Sequence, residues 1–112
     1  MEPLASKKCI PCQVGEPPLP PEKVQEYLKQ LPEGWHLTSE GFLEKQMKFK
    51  DFKEALAVIN RVGEVAEAEG HHPDIHLEQW NNVRFVLFTH AIKGLHENDF
   101  IFAAKIERVI AS

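Results

Sequence analysis

The tetrapeptide Gly70-His71-His72-Pro73 imposes the strongest constraint on how this chain can fold. Gly70 follows an apolar helical repeat and tolerates the left-handed conformation that commonly ends a helix. Pro73 disfavours helical dihedral angles at His72, so the chain leaves the helix in an extended conformation. Adjacent side chains in an extended chain point in different directions, and both histidines cannot lie in one core. The tetrapeptide therefore marks the junction between a helix and a strand.

Three segments carry the hydrophobic repeat that is typical of helices. Pro21 suits the first turn of a helix, and the repeat after it predicts helix one over about residues 21 to 31. Asp51 and Glu54 have the spacing of a capping box, which predicts helix two over about residues 51 to 69. A third apolar stripe predicts helix three from about residue 97 to 111, with Asp99 in its first turn.

Between these helices the hydrophobic period changes to two, which indicates strands. Residues 35 to 49 predict one hairpin turning at Ser39-Glu40-Gly41, and residues 74 to 90 predict another turning at Asn81-Asn82. Trp35 is predicted to be either a core residue or the aromatic wall of a pocket. We therefore expect an α+β two-layer sandwich, in which a four-stranded antiparallel sheet carries three helices on one face in the order α-β-β-α-β-β-α.

Composition limits the organisation and the partners of the chain. Residues 1 to 18 are predicted to form a proline-rich tail, and residues 19 to 112 one domain. The net charge of −4 argues against direct nucleic-acid binding, because phosphates require clustered basic residues. No apolar run reaches the roughly 18 residues of a membrane helix, and no apolar signal core precedes the tail. We expect a cytoplasmic protein without a membrane partner, and a small core with open sheet edges favours self-association.

Cys9 and Cys12 have Cys-x-x-Cys spacing within the predicted tail. Half a zinc site and a redox pair both have this spacing. A tetrahedral zinc ion needs about four ligands, and a thioredoxin-like motif needs a strand before it and a helix after it. Neither context is present, so we interpret the pair as tail residues that can catch a stray metal ion.

Three histidines are candidates for chemistry. His90 ends an apolar strand, whereas His71 and His72 follow helix two, and the two ends meet around a cleft if that helix packs across the sheet. Glu67 lies four residues before His71 and is predicted to accept an imidazole N–H and fix its tautomer. Imidazoles exchange protons near neutral pH, so this set predicts an acid–base site.

A metal site is the rival interpretation, with nitrogen ligands from His71, His72, His76 and His90. Adjacent histidines project to opposite sides of an extended chain, and Pro73 excludes a helical His-x-x-x-His motif. Chelation by His72 and His76 on one strand face stays open. The remaining histidines are interpreted as surface or strand-face residues without a chemical role: His36, His76 and His96.

The motif Glu67-x-x-x-His71-His72-Pro73, followed by Thr89-His90, Gly94-Leu95 and Asp99, resembles the signature of the pterin-4a-carbinolamine dehydratases. Three further features are similar to bacterial-type members: Gly34-Trp35, Asp51-Phe52, and the start with Cys-x-x-Cys and then Pro-Leu. The resemblance covers about residues 19 to 110. Its specific part is the histidine-histidine-proline element with a threonine-histidine pair downstream.

The resemblance implies a hydro-lyase that dehydrates 4a-hydroxytetrahydropterin, the carbinolamine left by aromatic amino-acid hydroxylases, to quinonoid dihydropterin. It also implies a metal-free site without a cofactor, and subunits that form homodimers or homotetramers. The acid–base and substrate-binding set implied by the family is His71, His72 and His90. The residues expected to bind or orient the substrate are Glu67, Pro73, Thr89, Asp99 and Trp35. The resemblance leaves open which histidine is the acid and which the base.

The chain departs from the family pattern at two places. The turn at Gln79-Trp80-Asn81-Asn82 is one residue longer, and His96 replaces the serine or threonine expected to cap helix three. We expect the second change to weaken the cap by about 1 kcal/mol.

A second hypothesis is a dehydratase-like binding or assembly module without significant turnover, such as a transcriptional coactivator or a chaperone-like protein. Animal members of the pterin-4a-carbinolamine dehydratase family, which this sequence resembles, also act as dimerisation partners of a homeodomain transcription factor. Nothing in this sequence identifies such a partner. The histidine set favours chemistry, because an interaction surface does not need it.

Overall fold

Helices and strands alternate along the chain, as the changes in hydrophobic period predict. The structure is a computed structural model that describes residues 4–9 and 16–111. The elements follow the predicted order α-β-β-α-β-β-α. They are α1 (Pro21–Leu28), β1 (His36–Leu37), β2 (Leu43–Lys48), α2 (Phe52–Glu69), β3 (Asp74–Glu78), β4 (Asn82–Leu87) and α3 (Glu97–Ala111). Short 3-10 turns cover Leu4–Ser6 and His90–Ile92.

The four strands form one antiparallel sheet in the order β1-β2-β4-β3. Alternate residues of β4 face the helices, and Val83, Phe85 and Leu87 are completely buried there. They share a hydrophobic core with the buried residues of α2 and α3. On the opposite face Arg84 lies between Glu44 and Glu78, at 3.5 and 3.7 Å. The predicted α+β architecture, with its four-stranded sheet and three helices, is confirmed.

Both ends of α2 form as the sequence predicts. The Asp51 carboxylate accepts the backbone N–H of Glu54 at 2.8 Å, which caps the first turn. Gly70 adopts a left-handed conformation with φ of 67°, and its N–H donates to the carbonyl of Ala66. Helix two therefore begins and ends within one residue of its predicted bounds, and Gly70 turns the chain towards β3.

The turn between β3 and β4 differs from the prediction. The left-handed residues are Gln79 and Trp80, with φ of 49° and 58°, so the placement of the turn at Asn81-Asn82 was wrong. Asn81 is buried and exchanges two hydrogen bonds with the backbone of Phe49, at 2.8 and 2.9 Å. These contacts fix Asn81 against the end of β2, so the reversal occurs earlier in the chain.

Two elements are shorter than predicted. Helix one ends at Leu28 rather than near residue 31, although Leu31 remains buried. The last strand ends at Leu87 because Thr89 pairs with Gly94 across a tight loop that contains a 3-10 turn. His90 therefore lies in a loop at the rim of the sheet and not in the strand.

Parts of the predicted N-terminal tail lie against the helices. Leu4 is buried in the core, and the Lys7 ammonium donates to Glu97 at 2.8 Å. The domain boundary at residue 19 remains a prediction, and Cys12 lies outside the described residues. Within residues 4–9 and 16–111, no helix combines the length and apolar character needed to cross a bilayer.

Candidate active site

His71 is aimed at α3 by the left-handed turn at Gly70. Its Nε2 atom lies 2.8 Å from Oδ1 of Asp99. Asp99 is completely buried, and the His71 side chain is 13% exposed. The contact joins the end of α2 to the first turn of α3, so it forms only when the two helices pack together. Asp99, which the resemblance implied as a supporting carboxylate, is therefore the direct partner of His71.

The second oxygen of Asp99 receives two donors. The Thr89 hydroxyl donates to Oδ2 at 2.8 Å, and the backbone N–H of His96 donates to it at 3.0 Å. Thr89 directly precedes His90, so their Cα atoms are only about 3.8 Å apart. Asp99 thus ties the segment that carries His71 to the segment that carries His90.

His90 lies at the exposed rim of this arrangement. Its ring packs edge-on against Phe88, with centroids 5.1 Å apart and planes at 73°. Phe88 in turn packs against Phe42 at a centroid distance of 4.5 Å. Phe88, itself packed on Phe42, therefore supports the His90 imidazole, while the residue as a whole stays exposed to solvent.

His72 pairs with Glu67, and this corrects the prediction that Glu67 serves His71. Glu67 Oε2 lies 2.6 Å from Nε2 of His72, with side chains 80% and 62% exposed. The prediction took Glu67 and His71 as neighbours at helical spacing, but the left-handed Gly70 turns His71 inward and leaves His72 on the side of Glu67. The two adjacent histidines point to different partners, as Pro73 required.

The structure places the other predicted site residues in two environments. Pro73 is half-buried between His72 and the start of β3. Trp35 belongs to the hydrophobic core with 6% exposure, and its Nε1–H is buried without a hydrogen-bond partner in the part of the chain that the structure describes. A role for Trp35 beside a pterin stays a prediction.

His96 differs from its interpretation as a surface or strand-face residue. It is 8% exposed rather than at the surface. Its Nδ1 accepts the backbone N–H of Asn98 at 3.0 Å, so the imidazole caps α3 in place of a serine or threonine. A histidine ring nitrogen therefore supplies the cap acceptor here, while the expected loss of about 1 kcal/mol relative to serine or threonine stays a prediction. The spacing of His96 and Asp99, three residues apart at a helix start, was the available signal.

Glu69, the last residue of α2, contacts Cys9 of the N-terminal segment. The backbone N–H of Cys9 donates to Oε1 of Glu69 at 2.8 Å, and this bond, together with Lys105, lowers the pKa of the Glu69 carboxyl. Burial and the nearby Glu69 carboxylate raise the pKa of the Cys9 thiol to about 12. Folding therefore disfavours the thiolate of Cys9, which is the nucleophilic form.

The described residues contain no group of three or more His, Cys, Asp or Glu side chains arranged to hold a metal ion. Among the cavities lined by described residues, one of about 630 Å³ lies beside the C-terminal half of α3, and another of about 360 Å³ lies beside Phe88 and residues 93–95. Neither is lined by His71, His72 or His90. His72 and His90 are exposed, so both imidazoles are open to solvent.

The arrangement defines a proton-transfer group. The Asp99 carboxylate accepts from Thr89 and His96 at Oδ2, and with Oδ1 also an acceptor, Nε2 of His71 is assigned the proton and Nδ1 the lone pair. A carboxylate in this position orients the imidazole and stabilises the imidazolium that forms when Nδ1 takes a second proton. His71 can therefore accept a proton and return it.

Known proteins are similar to this chain in sequence and in fold. The sequence model of the family described as pterin 4 alpha carbinolamine dehydratase matches residues 17–109. A protein from Alkaliphilus metalliredigens that carries this family's name is 51% identical over 108 residues, which cover 96% of each chain. The mitochondrial pterin-4-alpha-carbinolamine dehydratase 2 of Arabidopsis thaliana is 43% identical, over 95% of this chain and 58% of that protein.

Two solved structures share the architecture. A transcriptional coactivator/pterin dehydratase from Brucella melitensis superposes with a TM-score of 0.76 and 29% identity, over 82% of this chain and 97% of the other. A pterin dehydratase-like protein identified as a RuBisCO assembly factor of the alpha-carboxysome superposes with a TM-score of 0.60 over 71% of this chain and 93% of the other. Its identity of 21% shows a shared fold alone.

Proposed function

Because this chain belongs to the pterin 4 alpha carbinolamine dehydratase family, a family of hydro-lyases, we propose that it dehydrates 4a-hydroxytetrahydropterin to quinonoid dihydropterin. One observation carries the proposal: the buried Asp99 carboxylate holds His71 and also Thr89, the residue before His90. This contact ties the segment that carries His71 to the segment that carries His90. No additional cofactor is required for the chemistry.

The reaction is a paired proton transfer. An acid donates a proton to the hydroxyl group on C4a, and the C4a–O bond breaks as water leaves. A base takes the proton from N5, and the electron pair of that N–H bond forms the C4a=N5 double bond. Imidazoles suit both steps, since they exchange protons near neutral pH.

The three histidines have different surroundings and therefore different proposed roles. His71, fixed by Asp99, takes or returns a proton through Nδ1. His90, exposed at the rim, supplies the complementary transfer. His72, held by Glu67, binds the ring, with Pro73 keeping it in the extended conformation. The configuration of C4a in the bound substrate decides which of His71 and His90 acts as the acid and which as the base.

Replacing His90 or His71 tests the proposal. We expect His90→Ala to lower kcat for carbinolamine dehydration by about 100-fold or more without a change in the unfolding temperature, because its ring is exposed. His71→Ala should lower kcat similarly and also destabilise the protein by about 1–3 kcal/mol, since Asp99 loses a partner. The measurement is the rate at which carbinolamine generated in situ loses water, followed by ultraviolet absorbance.

His76→Ala provides the matched control, because His76 is an exposed histidine on the nearby strand β3. Its kcat should equal that of the unmodified protein. Wild-type rates in both His71→Ala and His90→Ala would contradict the proposal.

The alternative function is a binding or assembly module, and the description of the Brucella melitensis neighbour as a transcriptional coactivator supports it. The buried His71–Asp99 contact favours turnover, because an interaction surface needs no buried carboxylate behind an imidazole. Absence of turnover, together with a stable stoichiometric partner in a pull-down, would reverse this ranking.

We also propose that the protein works in the cytoplasm as a homodimer or homotetramer. Two large apolar side chains on α2 support self-association: Phe52 is 49% exposed and Leu56 is 38% exposed. They lie four residues apart and therefore on one side of the helix. A second subunit that covers them would remove this apolar area from water.

A further inference from the structure

His96 uses each of its hydrogen-bonding groups within the fold. Its backbone N–H donates to Oδ2 of Asp99, and its carbonyl accepts the N–H of Asp99, both at 3.0 Å. Its Nδ1 accepts the N–H of Asn98, and its Nε2 lies 3.3 Å from Oε1 of Glu16. Because Nδ1 is an acceptor, a neutral His96 carries its proton on Nε2 and donates it to Glu16.

The chain around Glu16 is fixed to the same loop. The N–H of Leu19 donates to the carbonyl of Leu95 at 2.9 Å. Pro18 lies so close to Gly94 that a Cβ atom on Gly94 would be 2.4 Å from the proline ring. Residues 16–19 therefore dock directly on residues 94–96, the segment that leads into α3.

These contacts reach the candidate active site through one carboxylate. Oδ2 of Asp99 is shared by the N–H of His96 and the hydroxyl of Thr89, while Oδ1 faces His71. Rotating Asp99 away from His96 would also move the oxygen that holds His71. The position of His96 thus sets the orientation of the group that fixes the His71 tautomer.

We propose that His96, held by Glu16, is a positioning residue of the dehydratase site, acting on His71 through Asp99. It touches neither the substrate nor the reacting atoms. The inference rests on the proposed function for its kinetic consequences. The coupling of Glu16 and His96 to the tautomer of His71 does not depend on turnover.

Substitutions at His96 separate positioning from packing. His96→Leu removes the cap acceptor but keeps a buried apolar side chain, whereas His96→Asn restores an acceptor at a helix N-cap. We expect His96→Leu to lower kcat about 10- to 100-fold, the range found for partners that orient metal-binding histidines. KM should change by less than about twofold, because binding contacts are untouched. His96→Asn should recover most of the lost kcat.

The tautomer of His71 provides a readout that packing alone would not move. Long-range ¹H–¹⁵N spectra of the imidazole rings measure the fraction of His71 protonated on Nε2. We expect a single Nε2–H form in the unmodified protein and in His96→Asn, and a mixture of tautomers in His96→Leu. His36→Leu is the control, because His36 also pairs with a glutamate, Glu44, at 3.2 Å on the sheet.

Glu16 gives a second test in case His96→Leu does not fold. Glu16→Ala removes the acceptor at the partly exposed end of the contact and should lower kcat about threefold or more, whereas Glu16→Gln keeps an oxygen acceptor and should not. A folded His96→Leu or Glu16→Ala protein with wild-type kcat and an unchanged His71 tautomer would overturn the inference.

Absence of dehydration by the unmodified protein would refute the proposed function instead. The NMR comparison would then decide the coupling by itself: a mixture of His71 tautomers in Glu16→Ala supports it, and an unchanged spectrum overturns it.

Discussion

The Asp99 carboxyl group is completely buried, and its hydrogen-bond partners explain how the fold accommodates it. A buried charge without hydrogen bonds is strongly destabilising. Asp99 has donors at both oxygens, from His71, from Thr89 and from the backbone of His96. Charge-assisted bonds of this kind are about twice as strong as neutral ones. The same three donors that make its burial possible also give the site its geometry.

Cys9 is a partly buried residue whose thiol is made less reactive by its surroundings. Burial, followed by repulsion from Glu69, raises the pKa of its thiol to about 12. We expect iodoacetamide to modify Cys9 far more slowly in the folded protein than in urea at about pH 8, because the thiolate is the nucleophile. Mass spectrometry of a Cys12→Ser variant measures this rate for Cys9 alone. Equal rates in both states would contradict the prediction.

At the scale of elements, α2 has two differently built ends. Its N-terminus depends on the Asp51 side chain, which caps the helix far along the chain from the histidines. Its C-terminus depends on Gly70, whose left-handed conformation directs the next residue, His71, to Asp99. The first end serves helix stability alone, whereas the second also positions the candidate site.

Matched substitutions at the two ends should separate stability from activity. Asp51→Ala removes a cap and should cost about 1 kcal/mol of unfolding free energy. Gly70→Ala places a Cβ atom in a left-handed conformation and should cost about 1–2 kcal/mol, although the space beside Gly70 is open. We expect kcat to fall only for Gly70→Ala, because His71 is redirected. Urea unfolding and the dehydration assay measure the two effects, and equal losses of kcat would contradict the assignment.

At the scale of the whole molecule, two glutamates connect the N-terminal residues to the helices. Glu69 accepts the N–H of Cys9 and lies 3.5 Å from Lys105, while Glu97 accepts from Lys7 at 2.8 Å. The Cys9 N–H bond lowers the pKa of Glu69, and the Lys7 bond lowers that of Glu97. Both carboxylates are thus more acidic in the folded chain than in the unfolded one.

These shifts predict a loss of stability in acid. A carboxyl group whose pKa is lowered by folding stabilises the fold above its unfolded value of 4.5, and this contribution disappears as the pH falls through the lower folded pKa. We expect the free energy of unfolding in urea to decrease below about pH 4.5. A Glu69→Gln/Glu97→Gln double variant should show a shallower decrease.

Glu26→Gln is the control for this experiment, because Glu26 pairs with Lys23 at the surface, with the Glu26 side chain 64% exposed. It should follow the pH dependence of the unmodified protein. A double variant with the same acid dependence as that protein would show that other carboxylates cause the loss.

The order and type of the elements could be predicted because their signals are local. The Asp51 cap, the Gly70 stop and the Pro73 restriction each act within a few residues, and the hydrophobic period distinguishes helix from strand over one segment. The same local evidence identified the histidine pair as divergent. It also placed Asp99 in the first turn of a helix, where a carboxylate is favoured.

Tertiary packing decided which groups meet. The contact between His71 and Asp99 spans 28 residues, so no local repeat could reveal it, whereas the spacing of Glu67 and His71 suggested a pair that the turn at Gly70 prevents. Asn81 is buried by hydrogen bonds to the backbone of Phe49, so the left-handed residues of the turn are Gln79 and Trp80. Local patterns along the chain specify the helices, the strands and the side chains available for chemistry, but the partner of each polar group depends on distances that exist only after the helices pack on the sheet.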